Sequence, residues 1–151
     1  MLVNTLTHPT LLGSTSISSN GSSTAVTGVG DSLFIGVLIK VTGVPSGGTP
    51  TLDVYFQDSS DSGTTWRDLA HTQFTGTVDS RLLSLAVQPD TQRREYVNKV
   101  TNPAAPTDGT LAGETANNVQ KHGDQIRLKW KFAAGGSSGS YTVSAQYSAR
   151  L

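Results

Sequence analysis

Apolar and polar residues alternate along much of this chain with a period of two. Leu52, Val54 and Phe56 fall on one side of an extended segment, with Asp53, Tyr55 and Gln57 on the other. Ile126, Leu128, Trp130 and Phe132 form an inward row, and Arg127, Lys129 and Lys131 form the opposite, outer one. Near the C-terminus Tyr141, Val143, Ala145 and Tyr147 alternate with Thr142, Ser144, Gln146 and Ser148. That period marks half-buried strands. The run Leu33-Phe34-Ile35-Gly36-Val37-Leu38-Ile39 is apolar on both sides. It predicts a central strand covered on both faces, or one packed against another subunit. Strands are expected near residues 12–18, 22–27, 32–42, 51–58, 65–74, 81–88, 93–100, 124–133 and 141–150.

Turn residues separate these runs. Pro45-Ser46-Gly47-Gly48 and Gly135-Gly136-Ser137-Ser138-Gly139 are expected to link neighbouring strands. Residues 102–122 contain Pro103, Pro106, Asp108-Gly109, Gly113 and Asn117-Asn118, with little to bury, and read as one long exposed loop. Residues 1–12 read as an N-terminal arm. Helix-forming residues never accumulate over three turns. The expected fold is one all-β domain spanning 1–151, an antiparallel β-sandwich or jelly-roll-like barrel with one long loop.

Composition narrows the chemistry. The 151 residues suit a single core, and only 35% of them are hydrophobic. With 11 basic and 11 acidic residues the net charge is zero, so no whole-molecule field draws the chain to nucleic acid or anionic lipid. No apolar run approaches membrane-spanning length, and the first residues lack the form of a secretion signal. There are no cysteines, which excludes disulfides, thiolate metal sites and cysteine catalysis. His8, His71 and His122 are too scattered for metal-ligand spacing and read as surface or turn residues. No cofactor is implied.

Two motifs invite a chemical reading. Gly135-Gly136-Ser137-Ser138-Gly139 fits G-x-S-x-G, but a nucleophile elbow needs a helix after it, and Tyr141-Thr142-Val143-Ser144 reads as a strand. Ser59-Ser60-Asp61-Ser62-Gly63-Thr64-Thr65-Trp66 fits Ser-x-Asp-x-Gly-x-Thr-Trp, the "Asp box" of sialidases and other β proteins. Its logic is that of a hairpin. Asp61 accepts backbone N–H groups within the turn, Gly63 takes positive φ, and Trp66 packs where the next strand begins. Ser59 and Thr65 complete the motif. A calcium site built on Asp58 and Asp61 lacks the bidentate Glu of an EF-hand, since Leu69 stands at that position. Trp66 and Trp130 both fall on faces expected to be buried.

Candidate partner contacts are basic and aromatic. Arg127, Lys129 and Lys131 read either as a stripe for an acidic partner or as a solvated face that discourages edge pairing. Arg93, Arg94 and Tyr96 form a second candidate patch. Exposed Tyr55 or Tyr96 could serve a sugar as a stacking platform, or could simply pack.

The order of elements also resembles a known kind of protein. Leu52-Asp53-Val54-Tyr55-Phe56-Gln57-Asp58-Ser59 leads into the Asp box. Later come Gly123-Asp124-Gln125-Ile126-Arg127-Leu128-Lys129-Trp130, a Gly/Ser turn, and Ser140-Tyr141-Thr142-Val143-Ser144-Ala145. Over residues 30–100 and 122–150 this resembles the small β-sandwich decoration or cement proteins of tailed bacteriophages. The segment at 101–121 departs from their compact pattern. The resemblance implies a non-enzymatic virion protein on the capsid surface. Its partner is the major capsid protein, and it often forms a homotrimer between capsomers. On that reading residues 1–12 and 102–122 are expected to carry intersubunit contacts. A carbohydrate-binding or tail adhesion module is the alternative, and a small glycan hydrolase a third.

Overall fold

The computed structural model describes residues 8–32, 34–86 and 123–150. Eight strands follow one another: β1 (Thr10–Ile17), β2 (Gly21–Ser22), β3 (Phe34–Gly43), β4 (Thr51–Ser59), β5 (Arg67–Phe74), β6 (Asp79–Ala86), β7 (Gln125–Ala133) and β8 (Tyr141–Arg150). Among the described residues there is no helix, and every strand pair is antiparallel.

Pairing is nested. β1 pairs with β8, β2 with β7, β3 with β6, and β4 with β5. Two further pairings, β3 with β8 and β4 with β7, join these ribbons into sheets of order β1-β8-β3-β6 and β2-β7-β4-β5. A long hairpin, β1 to β4 against β5 to β8, gives this order when it is wrapped over itself. It is the strand order of a jelly roll. The sheets stay separate and do not close, so the fold is a two-sheet sandwich and not the expected alternative, a barrel. The Asp box lies between β4 and β5, at the tip of the long hairpin.

The core lies between the sheets. Ile35, Val37, Ile39 and Val41 of β3 and Tyr141, Val143 and Ala145 of β8 face Leu52, Val54 and Phe56 of β4 and Ile126, Leu128 and Trp130 of β7. These are the alternating positions of the sequence. Tyr141 carries a polar tip inward and satisfies it: its hydroxyl donates to Pro50 O at 2.9 Å and accepts from Gly76 N at 2.7 Å. A buried phenol keeps its hydroxyl bonded in this way.

Three expectations change. Thr10, Leu11 and Leu12 belong to β1, and Leu11 is buried, so any arm is shorter than residues 1–12. The strand expected at 22–27 shrinks to two residues plus a bridge at Val26, because the Ser23 hydroxyl, not a carbonyl, accepts from Leu128 N at 3.0 Å. Strand β3 is central, but the described residues cover its two faces unequally: Ile35, Val37 and Ile39 are buried, while Phe34 and Leu38 on the other side are partly exposed, and the expected alternative of a subunit packed there is not tested by a single chain. The strand expected at 93–100 and the loop at 102–122 lie outside the described residues.

The two Gly/Ser loops lie against each other. Ser46 N donates to Ser138 O at 2.9 Å, Ser138 N to Ser46 O at 3.0 Å, and Thr49 N to Gly135 O at 2.9 Å. Gly48 has φ 60°, and a Cβ there would stand 2.5 Å from Gly135 O, so only glycine fits the crossing. Ser137 donates its hydroxyl to Ala134 O at 2.5 Å, within its own turn, and β8 follows. The G-x-S-x-G run is the connection from β7 to β8, with a strand and not a helix after it.

Candidate functional site

The densest polar chemistry lies on the outer face of the second sheet and runs into the Asp-box hairpin. Register assembles it. Asp53, Tyr55 and Gln57 of β4 stand opposite Lys131, Lys129 and Arg127 of β7. On their other side they meet Gln73, His71 and Asp68 of β5, the last across a bulge between Phe56 and Gln57. The bulge leaves Leu69 as the extra residue of β5 and brings Asp68 beside Gln57.

The hairpin tip is self-contained. Asp61 Oδ1 accepts the Ser59 hydroxyl at 2.7 Å and Thr65 N at 2.8 Å, and Oδ2 accepts the Thr65 hydroxyl at 2.5 Å. Ser59 Oγ in turn accepts Gly63 N at 2.9 Å. These donors favour the carboxylate, and the Asp61 pKa falls to about 2, led by the Thr65 hydroxyl. Ser62 and Gly63 both take left-handed φ, 58° and 85°, which closes the turn. Each role assigned to Ser59, Asp61, Gly63 and Thr65 from the sequence is local to the loop.

Trp66 differs from its expectation. It is partly exposed on the outer face and does not belong to the core cluster that holds Trp130. Its Nε1 donates to Gly63 O at 3.0 Å, and the Arg127 guanidinium lies 4.0 Å above its ring. The indole face thus carries a cation. Arg127 also donates to Gln57 Oε1 at 2.8 Å, and Gln57 Nε2 donates to Asp68 Oδ1 at 2.6 Å. Burial lowers the Arg127 pKa from its usual value, and the nearby Asp68 charge opposes that shift. Arg127 is therefore tied into the hairpin. Lys129 and Lys131 share its face and are half-buried, each with a partner of its own. Arg93, Arg94 and Tyr96 lie outside the described residues.

Behind the tip sits an ion pair between a buried carboxylate and an exposed guanidinium. Asp58 is 1% exposed; its two oxygens receive Arg67 Nε at 3.0 Å and Nη2 at 2.7 Å, and Oδ2 also receives Gly123 N at 2.7 Å. A fork-on-carboxylate pair fixes geometry as well as charge. It clamps β4 to the start of β5 and to the chain entering β7. Asp58 and Asp61 each already accept three hydrogen bonds from within the protein, and a calcium reading finds no support in their geometry. Among the described residues no group of three or more His, Cys, Asp or Glu side chains could hold a metal.

A further cluster centres on His71, with no local motif to announce it. His71 is 1% exposed, not a surface or turn residue. Its Nε2 lies 2.8 Å from Asp53 Oδ1, which also accepts Gln73 Nε2 at 3.0 Å. Its ring stacks on Tyr55 at 4.6 Å, and Tyr55 is 1% exposed too. Neither ring is accessible to a ligand. The signal was present: a hairpin turning at Ser62-Gly63 sets residues 53 and 55 opposite 73 and 71. No helix among the described residues is long and apolar enough to cross a membrane. Set against protein-family models, curated proteins and solved structures, the chain matches none.

Proposed function

We propose that this chain is a virion structural protein that decorates a capsid, contacting the major capsid protein between capsomers. The observation that carries the reading is the strand order, a jelly-roll sandwich, an architecture that capsid domains use alongside lectins and cupins. Fold alone does not set function. Two further points support the same reading. The motifs suggestive of chemistry are occupied in holding turns, at Asp61 and at Ser137. The element order also resembles phage decoration proteins. A homotrimer and a place on the capsid surface belong to this proposal. Many modest contacts repeated by symmetry stabilise a shell without catalysis. The test is to add purified protein to undecorated capsids of the parent virus and image them. Saturable binding with a raised capsid melting temperature is expected, and no saturable binding overturns the proposal.

A carbohydrate-binding or adhesion module is the second reading, and the half-exposed Trp66 at the hairpin tip is what favours it. Burial of Tyr55 removes the other candidate platform among the described residues. Glycan binding lost in Trp66→Ala, with capsid binding absent, would select this reading.

A further inference from the structure

The first sheet ends in an unusual edge. Among the described residues β6 is its last strand, paired with β3 on one side, and Ser80, Arg81 and Leu82 of this strand are exposed. Natural edges are normally blunted by charge, proline or a covering segment, because an open edge is a template for another strand. Here the two large apolar side chains left most exposed among the described residues are Leu82 within β6, at 67%, and Val78 immediately before it, at 64%. They are four residues apart. Strand alternation continued back from Leu82 sets both on the outer face, beside half-exposed Leu38 of β3, which is registered with Leu82.

Between them the sequence is Asp79-Ser80-Arg81. Asp79 and Arg81 share the opposite face of the strand and pair at 2.9 Å, with their side chains 41% and 44% exposed. Arg81 is also held at the edge by Thr72 Oγ1 at 3.2 Å and by the Phe74 ring 5.3 Å below its guanidinium. The order apolar, acidic, Ser, basic, apolar is self-complementary when read backwards with charge reversed. An antiparallel pairing with Ser80 on a two-fold axis sets Val78 against Leu82 of the second copy and Asp79 against its Arg81. Ser80 then meets Ser80.

We propose that β6 is a homotypic docking edge, through which two copies of this chain pair antiparallel about Ser80 and join their first sheets into one. Shifting the register by one residue in either direction loses both charge pairs, so the charges fix the alignment. The turn at Gly76-Thr77 ends the pairing on one side, which keeps the contact to about five residues per strand and makes it a weak one that gains when copies are held close together. This contact goes beyond the decoration role. It is two-fold, so it joins copies other than those related by a three-fold axis.

The test uses the full chain, whose lack of cysteine makes an introduced thiol unique. Ser80→Cys is expected to form a disulfide-linked dimer on mild oxidation. Lys40→Cys, at the registered position one strand inward, is expected to cross-link far more slowly. Sedimentation at millimolar concentration should show a monomer–dimer equilibrium. Asp79→Arg and Arg81→Asp should each weaken it about tenfold, since each turns two attractive contacts into repulsive ones. Mixing the two variants should restore pairing as a heterodimer. An in-chain role for the Asp79–Arg81 pair would not produce that rescue, because neither variant regains its own pair. A strict monomer at millimolar concentration, Ser80→Cys cross-linking no faster than Lys40→Cys, or failure of the mixed variants to associate would each overturn the proposal. So would dimerisation that is unchanged in both charge variants. Capsid binding by the monomeric variants tests the decoration role separately, so the two ideas can fail independently.

Discussion

The outer sides of β3 and β4 are opposites of what their sequences suggest. β3 is apolar on both sides, yet its Phe34 and Leu38 are half-exposed. β4 alternates cleanly, yet its outward Tyr55 and Gln57 are buried. Both strands are central in their sheets. The difference teaches that apolar character marks what a face tolerates, while burial of a polar face depends on whether its groups find partners. On β4 they do: Asp53 has His71 and Gln73, and Gln57 has Asp68 and Arg127. A buried polar group that is bonded costs little, and one that is not costs much.

This comparison breaks most sharply at Tyr55. Tyr55→Ala should destabilise the fold by about 4 kcal/mol in denaturant titration, because a fully buried ring leaves a cavity beside His71. A loss near that of a surface residue would mean that the ring is not packed in solution. Asp58→Ala comes next, with an expected loss of about 2 kcal/mol, since it strands the buried Gly123 N–H and removes the carboxylate that the solvent-exposed Arg67 bonds. Hydrogen exchange at Gly123 should rise in the same variant. On the other sheet, Leu38→Ala should cost about 1 kcal/mol, as a half-exposed leucine loses less burial and leaves no closed cavity. If Leu38→Ala matched Tyr55→Ala, the contrast between the faces would fall.

The smallest effect concerns the hairpin tip and is read through pH. The Asp61 pKa is lowered from 3.8 to about 2 in the folded protein, so its bonds stabilise the native state most fully above the unfolded value. That contribution fades as pH falls from about 4 towards 2. The thermal midpoint of Asp61→Asn should therefore lie below that of the parent at neutral pH, with the gap closing as the solution is acidified. A constant gap across that range would show that the carboxylate charge does not support the turn.

Much of this was legible along the chain. Period-two alternation located β4, β7 and β8 and named their core residues correctly, because a strand with one face on a core leaves that record. The Asp box announced its turn because every one of its bonds falls between residues 59 and 66. Pairings between distant segments were not legible. Nothing near Asp58 in sequence points to Gly123, and nothing near Trp66 points to Arg127, since each contact depends on β7 lying beside β4. The environment of His71 falls between these cases. Its partner follows from the hairpin register, but its burial does not.

By itself, then, the sequence determined that this is an all-β chain, where most of its strands run, which rows fill the core and how the central hairpin turns. These depend on interactions a few residues long or on one strand's own periodicity. Only the tertiary structure decided that the sheets form an open jelly-roll sandwich, that the outer row of β7 is bound to the Asp-box tip through Arg127, and that β4 and not β3 carries the buried outer face. Those outcomes turn on which strands become neighbours, and neighbours in a nested sandwich lie as far apart in sequence as β1 and β8.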